Sequence, residues 1–259
     1  MQLMEAHLLQ EVLFYSAVGF LAQLVDGAIG MAYGLTATTV MLTHGVTPAM
    51  ASAGVHAAEV ATTGLSGLAH WRLGHVLPRL VLRLALPGIA GGVIGALIAG
   101  HLPMAWLKPA VSAYLVFMGL LILRRALFNR GADAGRTDQD AVRIGFGGGF
   151  LDAVGGGGWG PLVTSTLIGR GLDPKFAIGS SNAAEFFVTA AVTTAFLSTI
   201  GLDVWPIVLG LVIGGAIAAP FAALATRHMP ARPLMGVVGV VITLLAGSNL
   251  VREAIRLLG

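Results

Sequence analysis

Four carboxylates carry most of the chemical content of this 259-residue sequence, because they fall where water is scarce. Of its 12 acidic residues, eight lie in termini, loops or segment ends, whereas Asp26, Glu59, Asp152 and Glu185 lie inside apolar stretches. A carboxylate in hydrocarbon costs several kcal/mol unless it is paired, hydrogen-bonded or neutralised, so an unneeded one is seldom kept. Asp26 and Asp152 stand directly before glycine runs. There they can cap a broken helix by accepting backbone amides, or take part in chemistry. Glu59 and Glu185 each follow a polar residue, His56 or Asn182, by three positions. That spacing puts both members on one helix face, which favours a functional reading of the two glutamates, either of which could couple protons. His56 also reads as a hydrogen-bonded packing residue.

The glycines beside the aspartates add a second kind of chemistry. Gly27, Gly30 and Gly34 interrupt one apolar stretch, and 155–158 with Gly160 interrupt another. Unwound backbone there exposes amides that no water satisfies, and helices restarting near Tyr33 and Trp159 would present free N–H groups and a positive dipole end to a small oxyanion. Glycine alone also permits close helix crossing. Ser180, Ser181 and Asn182 offer hydroxyl and amide donors that ordinary interhelical bonding uses equally well. The predicted substrate-binding set is Gly27, Gly30, Tyr33, His56, Gly156, Gly157, Trp159, Ser181 and Asn182, with Asp26, Glu59, Asp152 and Glu185 as coupling or structural carboxylates. The glycine run at 145–149 is not a nucleotide loop, since no strand precedes it. With no cysteine, thiolate nucleophiles and Cys-ligated metals are excluded, and no cofactor or metal is expected.

The elements that position these residues follow from composition. With 56% hydrophobic and 10% charged residues and a mean hydropathy of +0.86, the chain has more apolar surface than a soluble domain of its size can hide. Its net charge of +3 is spread between apolar segments, which speaks for topology signals and against nucleic acid. Membrane-length apolar stretches run at roughly 12–43, 49–70, 80–101, 104–123, 144–169, 176–200, 204–225 and 234–251. The N-terminus lacks the pattern of a cleaved signal peptide. Trp71, Trp106 and Trp205 near segment ends fit interfacial anchoring.

A shift of 126 positions, the separation of Asp26 and Asp152, pairs Gly30 with Gly156, Tyr33 with Trp159, Gly34 with Gly160, Gly45 with Gly171 and Pro48 with Pro174. It also pairs Ala57-Ala58-Glu59 with Ala183-Ala184-Glu185 and His56 with Asn182. The chain therefore reads as an all-α polytopic membrane protein of two homologous repeats, 1–128 and 142–259, joined by a polar cytoplasmic linker at 129–141. Each repeat opens on a stretch that is either a broken helix or a re-entrant hairpin. If both are hairpins, Arg72, Arg79, Arg83, Arg124, Arg125, Arg130, Arg136, Arg143, Arg170, Lys175, Arg227 and Arg232 share one side, leaving Lys108, Arg252 and Arg256 opposite. If both cross fully, the division is weaker. The positive-inside rule favours hairpins, inverted repeats and both termini outside.

The duplicated break, Val25-Asp26-Gly27-Ala28-Ile29-Gly30 and Leu151-Asp152-Ala153-Val154 with the glycines 155–158, is followed by Gly-Val-Thr-Pro at 45–48 or Gly-Leu-Asp-Pro at 171–174. Ala-Gly-Val-His-Ala-Ala-Glu and Ser-Ser-Asn-Ala-Ala-Glu come next. In this order the motifs resemble the sulfite exporter TauE/SafE family of permeases, also called the 4-toluene sulfonate uptake permease family, over nearly the whole chain. The resemblance implies movement of sulfite or organosulfonates across the bacterial cytoplasmic membrane. The first half departs from the glycine pattern at Ile29, Met31 and Ala32. The expected function is a secondary anion transporter, with a small anion and the lipid bilayer as partners and a homo-oligomer left open. A passive anion channel and an intramembrane aspartyl protease using Asp26 and Asp152 are the rival readings.

Overall fold

The computed structural model describes residues 2–29, 31–128, 137–200, 204–225 and 231–258. They form ten α-helices and one π-helical turn, with no strand among the described residues. In chain order these are α1 (Gln2–Ile29), α2 (Tyr33–Thr43), α3 (Pro48–Arg72), α4 (Pro78–His101), α5 (Met104–Leu127), α6 (Thr137–Gly155), the π turn (Gly160–Thr164), α7 (Ser165–Gly169), α8 (Pro174–Ile200), α9 (Trp205–Ala225) and α10 (Ala231–Leu258). Of the expected linker, 129–136 lie outside the described residues, and α6 begins at Thr137.

Five helical stretches are long and apolar enough to cross a membrane: Leu8–Asp26, Pro78–His101, Met104–Leu127, Pro174–Ile200 and Met235–Arg256. Helix α3 is as long, at 25 residues, but carries Ser52, His56, Glu59, Thr62, Thr63 and Ser66, which dilute its hydropathy. Leucines and phenylalanines such as Leu86, Phe117, Leu120 and Leu244 stand exposed on the outside of the bundle, a surface suited to lipid and costly in water. Trp71, Trp106 and Trp205 are exposed with them, whereas Trp159 is fully buried.

Small residues set the spacing inside. The backbones of Gly88 and Gly149 touch where α4 meets α6, and Gly19 of α1 rests on the backbone of Leu211 in α9. Such contacts bring helices together closely enough for dispersion forces and backbone dipoles to hold them without hydrophobic drive. The most extensive pairings are α1 with α9, α4 with α6, α5 with α10, and α3 with α8 and α4 with α8. Each joins an element from before the linker to one from after it, so neither half forms a core by itself.

Both halves begin with a chain that turns back on itself. The Arg170 guanidinium at the end of α7 pairs with Asp140 in the first turn of α6. The same two positions in the first half, Phe14 and His44, pack as tilted rings with centroids 4.6 Å apart. In each case a residue of the descending helix, midway along α1 or in the first turn of α6, meets one just past the returning helix. Beyond that point the chain makes the same turn twice: Gly45 at φ +88° and Gly171 at φ +87° close the returning helices, and the amides of Val46 and Leu172 bond back to Met41 and Leu167. A left-handed residue in this place is what ends a helix compactly, and glycine adopts it without steric cost.

Ala32, just before α2, also takes a left-handed conformation, at φ +86°. A methyl group there costs roughly 1–2 kcal/mol, part of which glycine would give back as unfolded-chain entropy. Ala32→Gly is expected to stabilise the protein by about 0.5 kcal/mol, read as a small rise in the unfolding midpoint in detergent; a fall would mean that the methyl group packs usefully.

Candidate functional site

The two breaks in the chain are built alike. Asp26 accepts a hydrogen bond from the Tyr33 amide at 3.3 Å, and Asp152 accepts one from the Trp159 amide at 2.9 Å. Each aspartate therefore holds the first amide of the helix that returns, seven residues on, which fits the capping reading of these carboxylates. In the second break, the amides of Gly156 and Gly157 bond to the Asp152 carbonyl. The carbonyl of Gly156 receives the Thr38 hydroxyl, and that of Gly157 receives the Tyr114 hydroxyl at 2.9 Å. The Arg125 guanidinium donates to the Pro161 carbonyl of the π turn at 2.6 Å.

The tips of the two hairpins touch: a Cβ built on Gly34 would lie 2.7 Å from the Gly157 Cα. Beside this contact is a cavity of about 450 Å³. Ala32, Tyr33 and Gly34 of the first hairpin border it, with Gly158, Trp159 and Gly160 of the second. The starts of two returning helices therefore face one space. Asp26, Glu59 and Glu185 also line it, as does Asn182. Its wall follows α3 from Glu59 through Thr62, Thr63 and Ser66 to His70, toward the end that carries Arg72. No Lys or Arg lines it among the described residues.

Of the residues singled out in the sequence, Tyr33, Trp159, Asn182, Asp26, Glu59 and Glu185 meet at this cavity. His56, Asp152, Gly156, Gly157 and Ser181 sit behind its wall. His56 is fully buried, with Nε2 at 3.1 Å from Asp152 Oδ2 and Nδ1 at 2.7 Å from the Ser52 carbonyl. Ser181 accepts the Trp159 indole N–H at 2.9 Å and the Thr164 hydroxyl at 2.7 Å, which holds the Trp159 ring in place. Asn182 donates to Ser66 at 2.7 Å. Gly27 belongs to α1, while Gly30 lies outside the described residues. Thr62, Thr63, Ser66, Gln23 and His70 line the cavity without having been anticipated. A signal for the first three was present, since they follow Glu59 by three, four and seven positions on one helix face.

A bundle of membrane-length helices around an internal cavity, lined by the two segments where the chain turns back, defines a multi-pass membrane transporter. The chain belongs to the family described as Sulfite exporter TauE/SafE, which matches residues 15–249. It is also 40% identical, over 95% of its length and 84% of the relative's, to a "Probable membrane transporter protein YtnM" of Bacillus subtilis (strain 168). No solved structure matches it. The protein is thus a transporter rather than an intramembrane protease.

Proposed function

We propose that this protein is a secondary transporter that carries small anions, sulfite or organosulfonates, across the bacterial cytoplasmic membrane. The observation that carries this reading is the shared cavity of two helix starts, one from each half of the chain. Two positive dipole ends and their amides favour an oxyanion where hydrocarbon surrounds the site. In this reading each half contributes a re-entrant hairpin and three crossings, so the halves are inverted and both termini face outside. The linker side then bears twelve of the fifteen Lys and Arg residues, as the positive-inside rule favours. The cavity runs along α3 toward that side, and access alternates by rocking one half against the other.

Three carboxylates on the wall of an anion cavity would repel the substrate if all were ionised. Carriage of protons with the anion resolves this, and Glu185 is one seat for them. The test is uptake of labelled sulfite, and of a panel of sulfonates, into proteoliposomes at two pH gradients. Saturable uptake that rises with an inward proton gradient is expected. Glu185→Gln is expected to weaken the pH response by roughly tenfold, a coupling of about 1.4 kcal/mol. Flux that never saturates would instead indicate a channel, and no flux with any of these anions would remove the substrate assignment.

A further inference from the structure

Hydrogen-bond chemistry around His56 leaves one proton to be accounted for. A carbonyl oxygen accepts and never donates, so the 2.7 Å contact with the Ser52 carbonyl requires a hydrogen on His56 Nδ1. The Ser52 hydroxyl does not change this, because it donates to the Ala153 carbonyl at 2.6 Å. A neutral imidazole protonated at Nδ1 has a bare lone pair at Nε2. That lone pair faces Asp152 Oδ2 at 3.1 Å, and the other oxygen of Asp152 is already taken by the Trp159 amide. Two lone pairs at hydrogen-bond distance repel, so a second proton lies between them, on one atom or the other.

The neighbouring carboxylate has the opposite deficiency. Glu59 is 5% exposed, and its Oε2 is buried with no hydrogen-bond partner. A ligand atom of Glu59, one of His56 and one of Asp152 all lie within 4.8 Å of one another. His56 and Asp152 are behind the cavity wall, whereas Glu59 is part of it. The groups whose charge Glu59 feels are Asp152 from α6, Glu185 from α8 and Asp26 from α1; Tyr33 of α2 feels Glu59 in turn, and Tyr114 of α5 faces Asp152. None of these is a cation that could stand in for the proton.

We propose that His56 and Asp152 hold a transported proton and that Glu59 passes it between this buried pair and the cavity. The proposal rests on the carrier reading above and names the proton site within it. In the shifted frame of the second half, His56 is replaced by Asn182, whose amide is bound to Ser66 and cannot take up a proton. The duplicated fold therefore has this seat once, and one proton per cycle passes through it. The His56–Asp152 bond also joins α3 to α6, so that loading and unloading the proton makes and breaks a tie between the halves.

Two measurements test this. In proteoliposomes with an internal pH dye, protons moved per sulfite are counted for the wild type, His56→Asn and Glu59→Gln; because the ratio is read, partial loss of rate does not obscure it. The ratio is expected to fall by one in both variants. An unchanged ratio, or a wild type that carries sulfite without protons, overturns the proposal. The second measurement needs no transport: ¹⁵N spectra of histidine-labelled protein in lipid nanodiscs, with the His56 signals identified by their loss in His56→Asn. Nδ1 is expected to carry hydrogen, and the Nε2 signal to report a shared proton that Asp152→Asn removes. A bare Nε2 unaffected by Asp152→Asn overturns the assignment, as does stoichiometric binding of Zn²⁺ or Mn²⁺ that is lost in His56→Asn. If sulfite flux is absent altogether, the anion reading fails and the spectra still decide the proton seat.

Discussion

Truncating Asp152 to alanine is expected to cost roughly 3–5 kcal/mol of stability and to abolish transport, whereas the same change at Asp26 is expected to cost about 1 kcal/mol. Both aspartates hold the first amide of a returning helix, and loss of that cap accounts for the smaller figure. Asp152 does more. Its second oxygen faces His56, a side chain with no exposed surface, and removing it leaves a buried imidazole nitrogen with nothing to bond. Asp26 has no such dependant among the described residues: the residue that replaces His56 in the repeat frame, Asn182, bonds to Ser66 instead. Asparagine in place of aspartate separates the two roles, since its carbonyl can still accept the amide. Asp26→Asn is expected to stay near the wild type. Asp152→Asn keeps the cap but loses the shared proton. The comparison is made on unfolding midpoints and monodispersity in detergent, with sulfite uptake alongside. Equal effects at the two positions would mean that the aspartates are caps and nothing more.

The same contrast shows what could be read from residues alone. The helical membrane class, the two breaks and the identity of the six cavity residues from Tyr33 to Glu185 follow from hydropathy and from the shift of 126, because both compare like with like along the chain. Thr62, Thr63 and Ser66 were within reach, since a helix face fixed by Glu59 carries them. The His56–Asp152 contact was not, because it joins positions 96 apart, which are not each other's counterparts under the shift of 126. Interlocked halves bring α3 of one against α6 of the other, and a search for self-similarity does not register such a pairing. The contacts that close the hairpins were hidden for a different reason. Phe14 with His44 and Asp140 with Arg170 occupy equivalent places, but one is a contact of tilted rings and the other pairs charges, so geometry is repeated where residue type is not. Ser181 illustrates the converse: its oxygen accepts the Trp159 indole N–H and the Thr164 hydroxyl, contacts that the residue types alone did not announce.

Gly157→Ala is expected to destabilise the protein by roughly 3 kcal/mol or more and to leave no measurable uptake. Two costs coincide at this position. Its φ of +142° is one that residues with a side chain rarely adopt, and a Cβ there would collide with the backbone of Gly34 and Leu35. A side chain in the way could rotate; backbone on the facing hairpin can only retreat, and retreat opens the contact between the tips that bounds the cavity. Gly45→Ala isolates the first cost, because Gly45 has φ +88° but open space where a Cβ would go. That change is expected to cost about 1 kcal/mol and to leave uptake within about twofold of the wild type. Unfolding midpoints and sulfite uptake of the two variants, measured side by side, separate strain from collision. If Gly157→Ala behaves like Gly45→Ala, the hairpin tips are free to part, and the two helix starts cannot be acting on one anion from a fixed distance.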